Sequence, residues 1–143
     1  MRISTKSSIA LHLLVLIGVF PGRRMPSETL GRSTGCNPVV VRNILGSLKR
    51  AGILEVHRGT GGATLLRDPA AITVLDVFEA VDDTPLEALI GLHPDPNPAC
   101  PVGRNIYTLL AKPYQAVAGS VREAMAACTL DELIADYHVL ERP

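Results

Sequence analysis

Aromatic side chains are scarce in this chain of 143 residues, which contains two Phe, three Tyr and no Trp. Proteins that bind single-stranded nucleic acid without sequence preference stack the bases on aromatic rings. The composition therefore argues against such a platform, and against a sugar site lined by aromatic side chains.

Cysteine is also sparse, and Cys36, Cys100 and Cys128 lie far apart. An odd count at wide spacing is not typical of a disulfide framework, and without a Cys-x-x-Cys pair a structural zinc site is not expected. The four histidines are scattered, and no serine–histidine–acid set stands at a telling spacing. We therefore expect a reduced, cytoplasmic setting, with no metal, no cofactor and no catalytic residues.

A long hydrophobic run is missing as well. The apolar segment from Ile9 to Phe20 follows basic residues, as in a secretory signal, but it is interrupted by His12 and no small-residue cleavage site follows. It is too short to cross a membrane. Because its apolar residues keep helical spacing, the segment predicts a buried first helix from about Thr5 to Gly18.

The net charge is zero, but positive and negative residues are segregated. Residues 1–67 carry ten basic and two acidic residues, a net charge of +8, whereas residues 68–143 carry four basic and twelve acidic residues, a net charge of −8. Such asymmetry indicates a basic module that meets a polyanion and an acidic module that does not. The alternative at this point is chance segregation on a solvated surface.

The stretch GCNPVVVRNILGSLKRAGIL, residues 35–54, contains three consecutive valines, which favour a strand. Asn37 followed by Pro38, however, is a typical helix start. Apolar residues then recur at helical spacing, at Val41, Ile44, Leu45 and Leu48. Gly52 suits the position just after a last helical turn. The stretch therefore predicts an amphipathic helix from Pro38 to Arg50.

The neighbouring segments complete a recognisable order of elements. A short helix capped by Ser27 and ending near Ser33 precedes Gly35, and two strands, residues 53–57 and 63–66, flank the glycine-rich RGTGG. Helix, turn, helix and hairpin in this order predict a winged helix-turn-helix. A phosphate-binding loop at GTGG is disfavoured, because a strand and not a helix follows it.

The rest of the chain reads as helices around a loop with four prolines, HPDPNPACP. Capping boxes at Thr73 and Thr129 begin two helices, and a long helix from about Gly103 to Ala127 is kinked or divided by Pro113. We expect a mainly α fold with a small antiparallel β-hairpin. Its predicted parts are a DNA-binding domain over residues 1–82, a Pro-rich loop over 83–102 and a helical dimerisation region over 103–143.

The solvent face of the predicted Pro38–Arg50 helix is the candidate DNA-reading surface. In helix-turn-helix modules the second helix enters the major groove with its N-terminal residues on base edges. Asn pairs with adenine, Arg with guanine, and valine methyls contact the thymine methyl, while a basic wing reaches phosphate or the minor groove. Val39 and Val40 could alternatively pack against the domain. The predicted DNA-binding set is Arg2, Lys6, Ser27, Asn37, Val39, Val40, Arg42, Asn43, Lys49, Arg58 and Thr60.

The motifs resemble the Rrf-two family of bacterial winged-helix transcription regulators over nearly the whole chain. The matching segments are MRISTKSSIALHLLVLI, NPVVVRNILGSLKRAGILEVHRGTGGATLL and ITVLDVFEAVD. RGTGGATLL and ACPVGRNI are similar to the YwnA-type subgroup. The resemblance implies a homodimer on a near-palindromic operator, with the long helix as dimerisation element. A compatible apolar stripe, which could also be buried within one chain, consists of Ile106, Leu109, Leu110, Val117, Val121 and Met125.

Some members of that family hold an iron–sulfur cluster on three closely spaced cysteines in the loop before the long helix. Here only Cys100 lies in that loop, with His93 nearby. One Cys and one His do not supply the usual thiolates, so we predict no cluster. Cys100 could still sense oxidants if its thiol is exposed and acidic, whereas Cys36 and Cys128 are expected to pack as small apolar residues.

We interpret the chain as a sequence-specific regulator of transcription that binds double-stranded DNA, represses, and acts as a homodimer. One alternative is a thiol-based redox switch centred on Cys100. The other is a winged-helix protein-interaction module without DNA binding, against which the basic first half argues. The sequence indicates neither a membrane partner nor the identity of a small-molecule effector.

Overall fold

The computed structural model describes residues 4–143, apart from the side chain of Thr60, and these residues form six α-helices and one two-stranded antiparallel sheet. The predicted fold class is therefore confirmed. The elements are α1 (Lys6–Val19), α2 (Ser27–Thr34), α3 (Pro38–Arg50), β1 (Leu54–His57), β2 (Gly62–Leu65), α4 (Val74–Val81), α5 (Ile106–Ala127) and α6 (Leu130–Leu140). Within this range no helix combines the length and apolar character needed to cross a membrane.

Helix α3 has the bounds that the sequence predicts, because both of its ends are specified locally. The side-chain oxygen of Asn37 accepts a hydrogen bond from the backbone N–H of Val39 at 2.8 Å. At the other end Gly52 adopts φ +73° and donates to the carbonyl of Lys49 at 3.0 Å, while Ile53 donates to that of Leu48 at 3.1 Å. These bonds satisfy backbone groups that a helix end otherwise leaves unpaired.

Helix α2 begins differently from the prediction that Ser27 caps it. Pro26 occupies the capping position, with extended backbone at φ −63° and ψ 149°, and Ser27 is the first helical residue. The reason is that the carbonyl of Pro26 already accepts the first helical hydrogen bond, from Leu30 at 3.1 Å. The helix also runs one residue further than predicted, to Thr34.

The long helix α5 is not divided at Pro113, contrary to one of the two predicted outcomes. The α-helix continues from Ile106 to Ala127 through this proline. Proline removes one backbone donor and crowds the preceding turn. Because Pro113 is exposed, water can reach the backbone groups near it and offset part of that cost.

The β-hairpin that follows α3 is the wing of the winged helix-turn-helix. It is attached to the loop before α2. β1 and β2 pair from Leu54 with Leu65 to His57 with Gly62, and a one-turn 3₁₀ helix, Gly59–Gly61, forms the tip. The backbone N–H of Ala63 donates to the carbonyl of Met25 at 3.1 Å, which adds a short third strand contact. The wing is thereby fixed relative to the helix-turn-helix.

Two hydrophobic clusters hold the described chain together. The larger one joins α1, α3, the hairpin, α4 and α6, and its innermost members include Leu13, Leu48 and Val77. Helix α6 contributes Leu130 and Ile134 to this cluster, and the backbone N–H of Leu130 donates to the carbonyl of Ile72 at 2.8 Å. The predicted division at residue 103 stays a prediction, but this core crosses it.

The smaller cluster attaches α5 to α4. Its buried members are Phe78, Leu86, Leu89 and Ala118. Arg122 of α5 adds ion pairs to Glu79 at 2.6 Å and to Glu87 at 3.1 Å, all three on the surface. Ala118 is the one residue of α5 that is fully buried among those described, so α5 is held mainly by its second half.

Gly62→Ala tests whether the attachment of the wing contributes to stability. Gly62 has φ +67° and ψ −156°, and a Cβ there would lie 2.5 Å from the carbonyl oxygen of Met25. This backbone region is almost exclusive to glycine, and we expect a loss of about 1–3 kcal/mol from strain alone, with the clash in addition. Chemical denaturation monitored by circular dichroism measures the difference.

The matched control is Gly119→Ala in α5, where no atom lies within 4 Å of the added Cβ. Alanine is the better helix former, so this variant should keep its stability or gain up to about 1 kcal/mol. Equal stability of Gly62→Ala and the unaltered chain would contradict the assigned wing packing.

Candidate nucleic-acid interface

The turn between α2 and α3 is closed by short-range hydrogen bonds. The hydroxyl of Thr34 donates to the carbonyl of Leu30 at 2.9 Å and accepts from the backbone N–H of Cys36 at 3.3 Å. Gly35 takes φ +70°, the left-handed conformation that ends α2. Cys36 is half-buried and packs against the larger cluster, which agrees with its expected role as a small apolar residue.

Helix α3 separates a buried face from a solvent face. Its buried residues are Val41, Ile44, Leu45 and Leu48. On the other side, Val39 is 56% exposed and Val40 is 39% exposed, and neither belongs to a described hydrophobic cluster. The two valines therefore present methyl groups to solvent. Burying such groups against a partner is favourable, by roughly 25 cal/mol per Å² of apolar surface.

Polar groups suited to reading bases flank these valines. Arg42 and Asn43 are exposed. The Nε of Arg42 donates to the carbonyl of Pro38 at 3.3 Å, which turns the side chain toward the N-terminus of α3. Asn37, the cap of the helix, is exposed at the same end. Apolar methyl, guanidinium and amide groups are thus side by side on the first two turns.

The wing carries Arg58, which is exposed and stands at the N-terminal side of the tip helix. Behind it, the Nε2 of His57 lies 3.0 Å from the Oγ1 of Thr64, so the two strands are also joined through side chains. Gly59, Gly61 and Gly62 leave the backbone of the tip without side chains at these positions. This allows the tip to approach a phosphate backbone closely.

The described basic residues of the helix-turn-helix and the wing form no ion pair with another described residue. The ion pairs among residues 4–143 are Lys6 with Asp83, Arg67 with Asp76, and Arg122 with Glu79 and Glu87. Basic residues outside these pairs are Arg23, Arg24, Arg32, Arg42, Lys49, Arg50 and Arg58 in the first half of the chain. Such unpaired cations favour a polyanionic partner.

Two members of the predicted DNA-binding set differ from the others in their surroundings, and two lie outside what the structure describes. The Nζ of Lys6 lies 3.3 Å from a carboxylate oxygen of Asp83, an exposed pair that contributes little to stability. Ser27 is half-buried at the start of α2. Arg2 lies outside the residues that the structure describes, as does the side chain of Thr60.

Arg24 lies beside the wing and is not in the predicted set. A Cβ on Gly61 would be 3.7 Å from its Nη1. The local sequence does not predict this position. It follows from the contact between Met25 and Ala63, which are 38 positions apart in the chain.

The predicted dimerisation stripe is split between two environments. Val121 and Met125 pack against the smaller cluster within the chain. Leu109 is 61% exposed and Val117 is 39% exposed, while Ile106 and Leu110 are half-buried. The first half of α5 therefore presents an apolar surface that this chain does not cover.

Cys100 is exposed and lies at the turn that leads into α5. Hydrogen bonds from the backbone N–H groups of Gly103 and Val102 lower the pKa of its thiol. The carbonyl of Cys100 accepts from Arg104 at 3.0 Å, and its N–H donates to Asn97 at 3.2 Å, so the turn is held from both sides. Cys128 differs, because burial and the neighbouring Glu132 raise the pKa of its thiol.

A winged helix-turn-helix with an exposed, uncompensated basic recognition surface defines a class, the winged-helix DNA-binding proteins. The family model for Rrf2, described as an iron-dependent transcriptional regulator, matches residues 3–136. The chain belongs to the Rrf2 family of DNA-binding transcription regulators and is not an enzyme.

Individual relatives agree with this assignment. The chain is 36% identical over 132 residues to YwnA, a candidate HTH-type transcriptional regulator of Bacillus subtilis (strain 168), and the match covers 92% of this chain and 96% of the relative. A crystal structure described as that of a candidate DNA-binding protein is 30% identical, with a TM-score of 0.71, and the match covers 90% of this chain and 98% of that chain. A candidate transcriptional regulator from Lactobacillus plantarum is 25% identical, with a TM-score of 0.80 and coverage of 95% and 91%. The alternative of a protein-interaction module without DNA binding is therefore not supported.

The family description mentions iron, but the described residues do not supply the ligands that an iron site needs. Within residues 4–143 no group of three or more His, Cys, Asp or Glu side chains is placed to hold a metal ion. Iron–sulfur clusters are held by several thiolates, whereas Cys36 lies in the helix-turn-helix and Cys128 follows α5.

The thiol pKa is lowered at Cys100 and raised at Cys128, and this difference predicts which of the two reacts first. The thiolate is the nucleophile, so lowering the pKa of Cys100 increases its thiolate fraction at a given pH and moves its reaction to lower pH. The raised pKa of Cys128 has the opposite effect. We expect iodoacetamide to alkylate Cys100 first near neutral pH, as measured by peptide mass spectrometry over time. Faster alkylation of Cys128 than of Cys100 would contradict the assigned environments.

Proposed function

We propose that the chain represses transcription as a homodimer that binds a near-palindromic operator in the bacterial cytoplasm. The observation that supports it most directly is the solvent face of α3, where the exposed Val39, Val40 and Arg42 stand together on the first turns. Repression is the simplest consequence, because a bound dimer excludes other proteins from the grooves that it occupies.

In this proposal α3 lies in the major groove and reads bases with its first two turns. Arg42 donates bidentately to a guanine, Asn43 or Asn37 pairs with an adenine, and the valine methyls contact a thymine methyl. Lys49 and the start of α2 at Ser27 contact phosphates and fix the position of the helix in the groove. Arg58 extends the contact from the wing to phosphate or to the minor groove.

The homodimer would use the uncovered half of α5. Leu109 and Val117 are exposed there, although apolar side chains gain free energy when they are removed from water. A second copy packing on this face would bury both stripes by symmetry. Such a dimer would place its two α3 helices on half-sites about one helical turn, roughly 34–36 Å, apart.

A second candidate function is control of DNA binding through Cys100. Its exposure and its lowered thiol pKa favour this alternative, because redox-sensing cysteines are accessible and acidic. It requires that selective modification of Cys100 change operator affinity, and that Cys100→Ser remove that response.

Arg42→Ala and Arg58→Ala separate base reading from backbone binding. Arg42→Ala should cost about 1–3 kcal/mol on the preferred sequence and much less on unrelated DNA. Arg58→Ala should weaken binding to all sequences and reduce the slope of log affinity against log salt by about 0.9. Fluorescence anisotropy at several salt concentrations measures both quantities.

The matched control is Arg142→Ala, which removes the same charge from an exposed site near the C-terminus. Its affinity should stay within about twofold of that of the unaltered chain, since surface charges beyond a Debye length are screened. Equal effects of Arg42→Ala on preferred and unrelated DNA would contradict a base-reading role for α3.

Leu109→Glu tests the dimer. A charge in the centre of an apolar interface is costly to desolvate, so we expect this variant to be monomeric at concentrations where the unaltered chain is dimeric. Sedimentation velocity measures the difference. Leu140→Glu is the control, because Leu140 is 82% exposed on α6, outside the stripe. An unaltered sedimentation coefficient for Leu109→Glu would exclude this face as the interface.

A further inference from the structure

We propose that Arg24 is a further DNA-contacting residue, which binds phosphate beside the tip of the wing and is positioned together with the wing. This inference rests on the proposed binding of the wing to DNA. It adds a contact from the loop between α1 and α2, a part of the chain that neither the sequence motifs nor the recognition helix includes.

The backbone fixes Arg24 next to the wing. The residue that follows it, Met25, accepts the hydrogen bond from Ala63 at 3.1 Å. Gly62 packs so closely on Met25 that an added Cβ would lie 2.5–2.8 Å from three of its backbone atoms. Because Arg24 precedes Met25 in the chain, the contact of Met25 with Gly62 and Ala63 also fixes the position of the Arg24 Cα relative to the hairpin.

The side chain of Arg24 extends along the tip helix. Its Nη1 lies 3.7 Å from the position that a Cβ on Gly61 would take, so the guanidinium is beside this residue of the tip. A side chain at position 61 would also meet the Cβ of His57 at 2.4 Å. Glycine at position 61 is therefore required by the close contact with His57, whereas the guanidinium of Arg24 lies at ordinary van der Waals distance from the position of the added Cβ.

Two basic residues are therefore adjacent to the same turn of three residues, Arg24 through its side chain and Arg58 through its place in the chain. Arg58 is the capping residue of the tip helix, and its carbonyl accepts from Gly61 at 3.2 Å. Neither Arg24 nor Arg58 forms an ion pair within the described part of the chain, and both are exposed. Like charges beside one turn repel each other, and an anion bound at that turn offsets the repulsion. A phosphate of duplex DNA is the anion that the rest of this surface is suited to meet.

The neighbouring Arg23 is directed elsewhere. Its guanidinium carbon lies 5.7 Å from the centre of the Phe20 ring, in a cation–π arrangement. Arg23 also lines a surface cavity of about 340 Å³, together with Ile17, Pro69 and, from the base of the hairpin, Thr64 and Leu65. Arg23 and Arg24 are thus adjacent, equally charged and exposed, but of the two it is Arg24 whose guanidinium lies beside the tip of the wing.

This pair provides a matched experiment on the full-length protein. Arg24→Gln and Arg23→Gln each remove one charge and keep most of the side-chain length. Affinity is measured at 50 and 200 mM salt for the preferred duplex and for an unrelated one. For Arg24→Gln we expect weaker binding to both duplexes, with a loss about threefold larger at 50 mM than at 200 mM, as release of about one counterion fewer requires. Arg23→Gln should change neither affinity by more than about twofold.

Equal losses for the two variants would overturn the proposal, because they would reflect the overall charge alone. No loss for Arg24→Gln would overturn it as well. Arg24→Lys, which keeps the charge, should recover part of the affinity, and thermal melts of all variants report whether the wing still packs. If the unaltered chain binds no DNA, the proposed function fails and this inference with it. If Arg42→Ala weakens binding and Arg24→Gln does not, only this inference fails.

Discussion

Gly62 and Met25 pack backbone against backbone, and the DNA-binding surface depends on this contact. On one side of it is the hairpin with Arg58, and on the other is the loop that leads into α2 and so into the helix-turn-helix. The hydrogen bond from Ala63 to Met25 fixes the distance between them. A two-stranded hairpin is only marginally stable alone in water, so without this attachment the wing would lack a defined position relative to α3. The close approach is possible because position 62 has no side chain and adopts a backbone conformation that other residues rarely reach.

The exposed basic residues and the exposed apolar residues mark two surfaces of the molecule, one on α3 and the wing and one on α5. Among the described basic residues of the first half, those on the helix-turn-helix and the wing form no ion pair, whereas Lys6 and Arg67 pair with Asp83 and Asp76 of the second half. Within the second half, Arg122 of α5 pairs with Glu79 and Glu87. Exposed apolar residues include Val39 and Val40 on α3, which adjoin the cations, and Leu109 on the first half of α5. In the proposed function, the first surface would contact thymine methyl groups of a duplex, and the second would contact a copy of the chain. DNA binding and dimerisation would thus use separate faces of one core.

The sequence predicted best what local chemistry decides. The bounds of α3 follow from Asn37, Pro38 and Gly52, and the capping boxes at Thr73 and Thr129 are present as hydrogen bonds. Family resemblance correctly added the winged-helix regulator class. The predicted start of α2 was wrong by one residue, because the carbonyl of Pro26 accepts the first helical hydrogen bond and Ser27 is already helical. The return of α6 to the larger cluster, the bridge from Met25 to Ala63 and the position of Arg24 depend on residues far apart in sequence, so no local pattern encodes them. The contacts of the predicted DNA-binding residues with DNA stay predictions.

Selection of bound sequences from a random pool of duplex DNA by the purified full-length chain tests the central claim, that two copies of α3 read DNA by sequence. The account predicts enrichment of a near-palindromic motif whose half-site centres are about one helical turn, roughly 10–10.5 base pairs, apart. A pool that stays unenriched after repeated rounds of selection would contradict it.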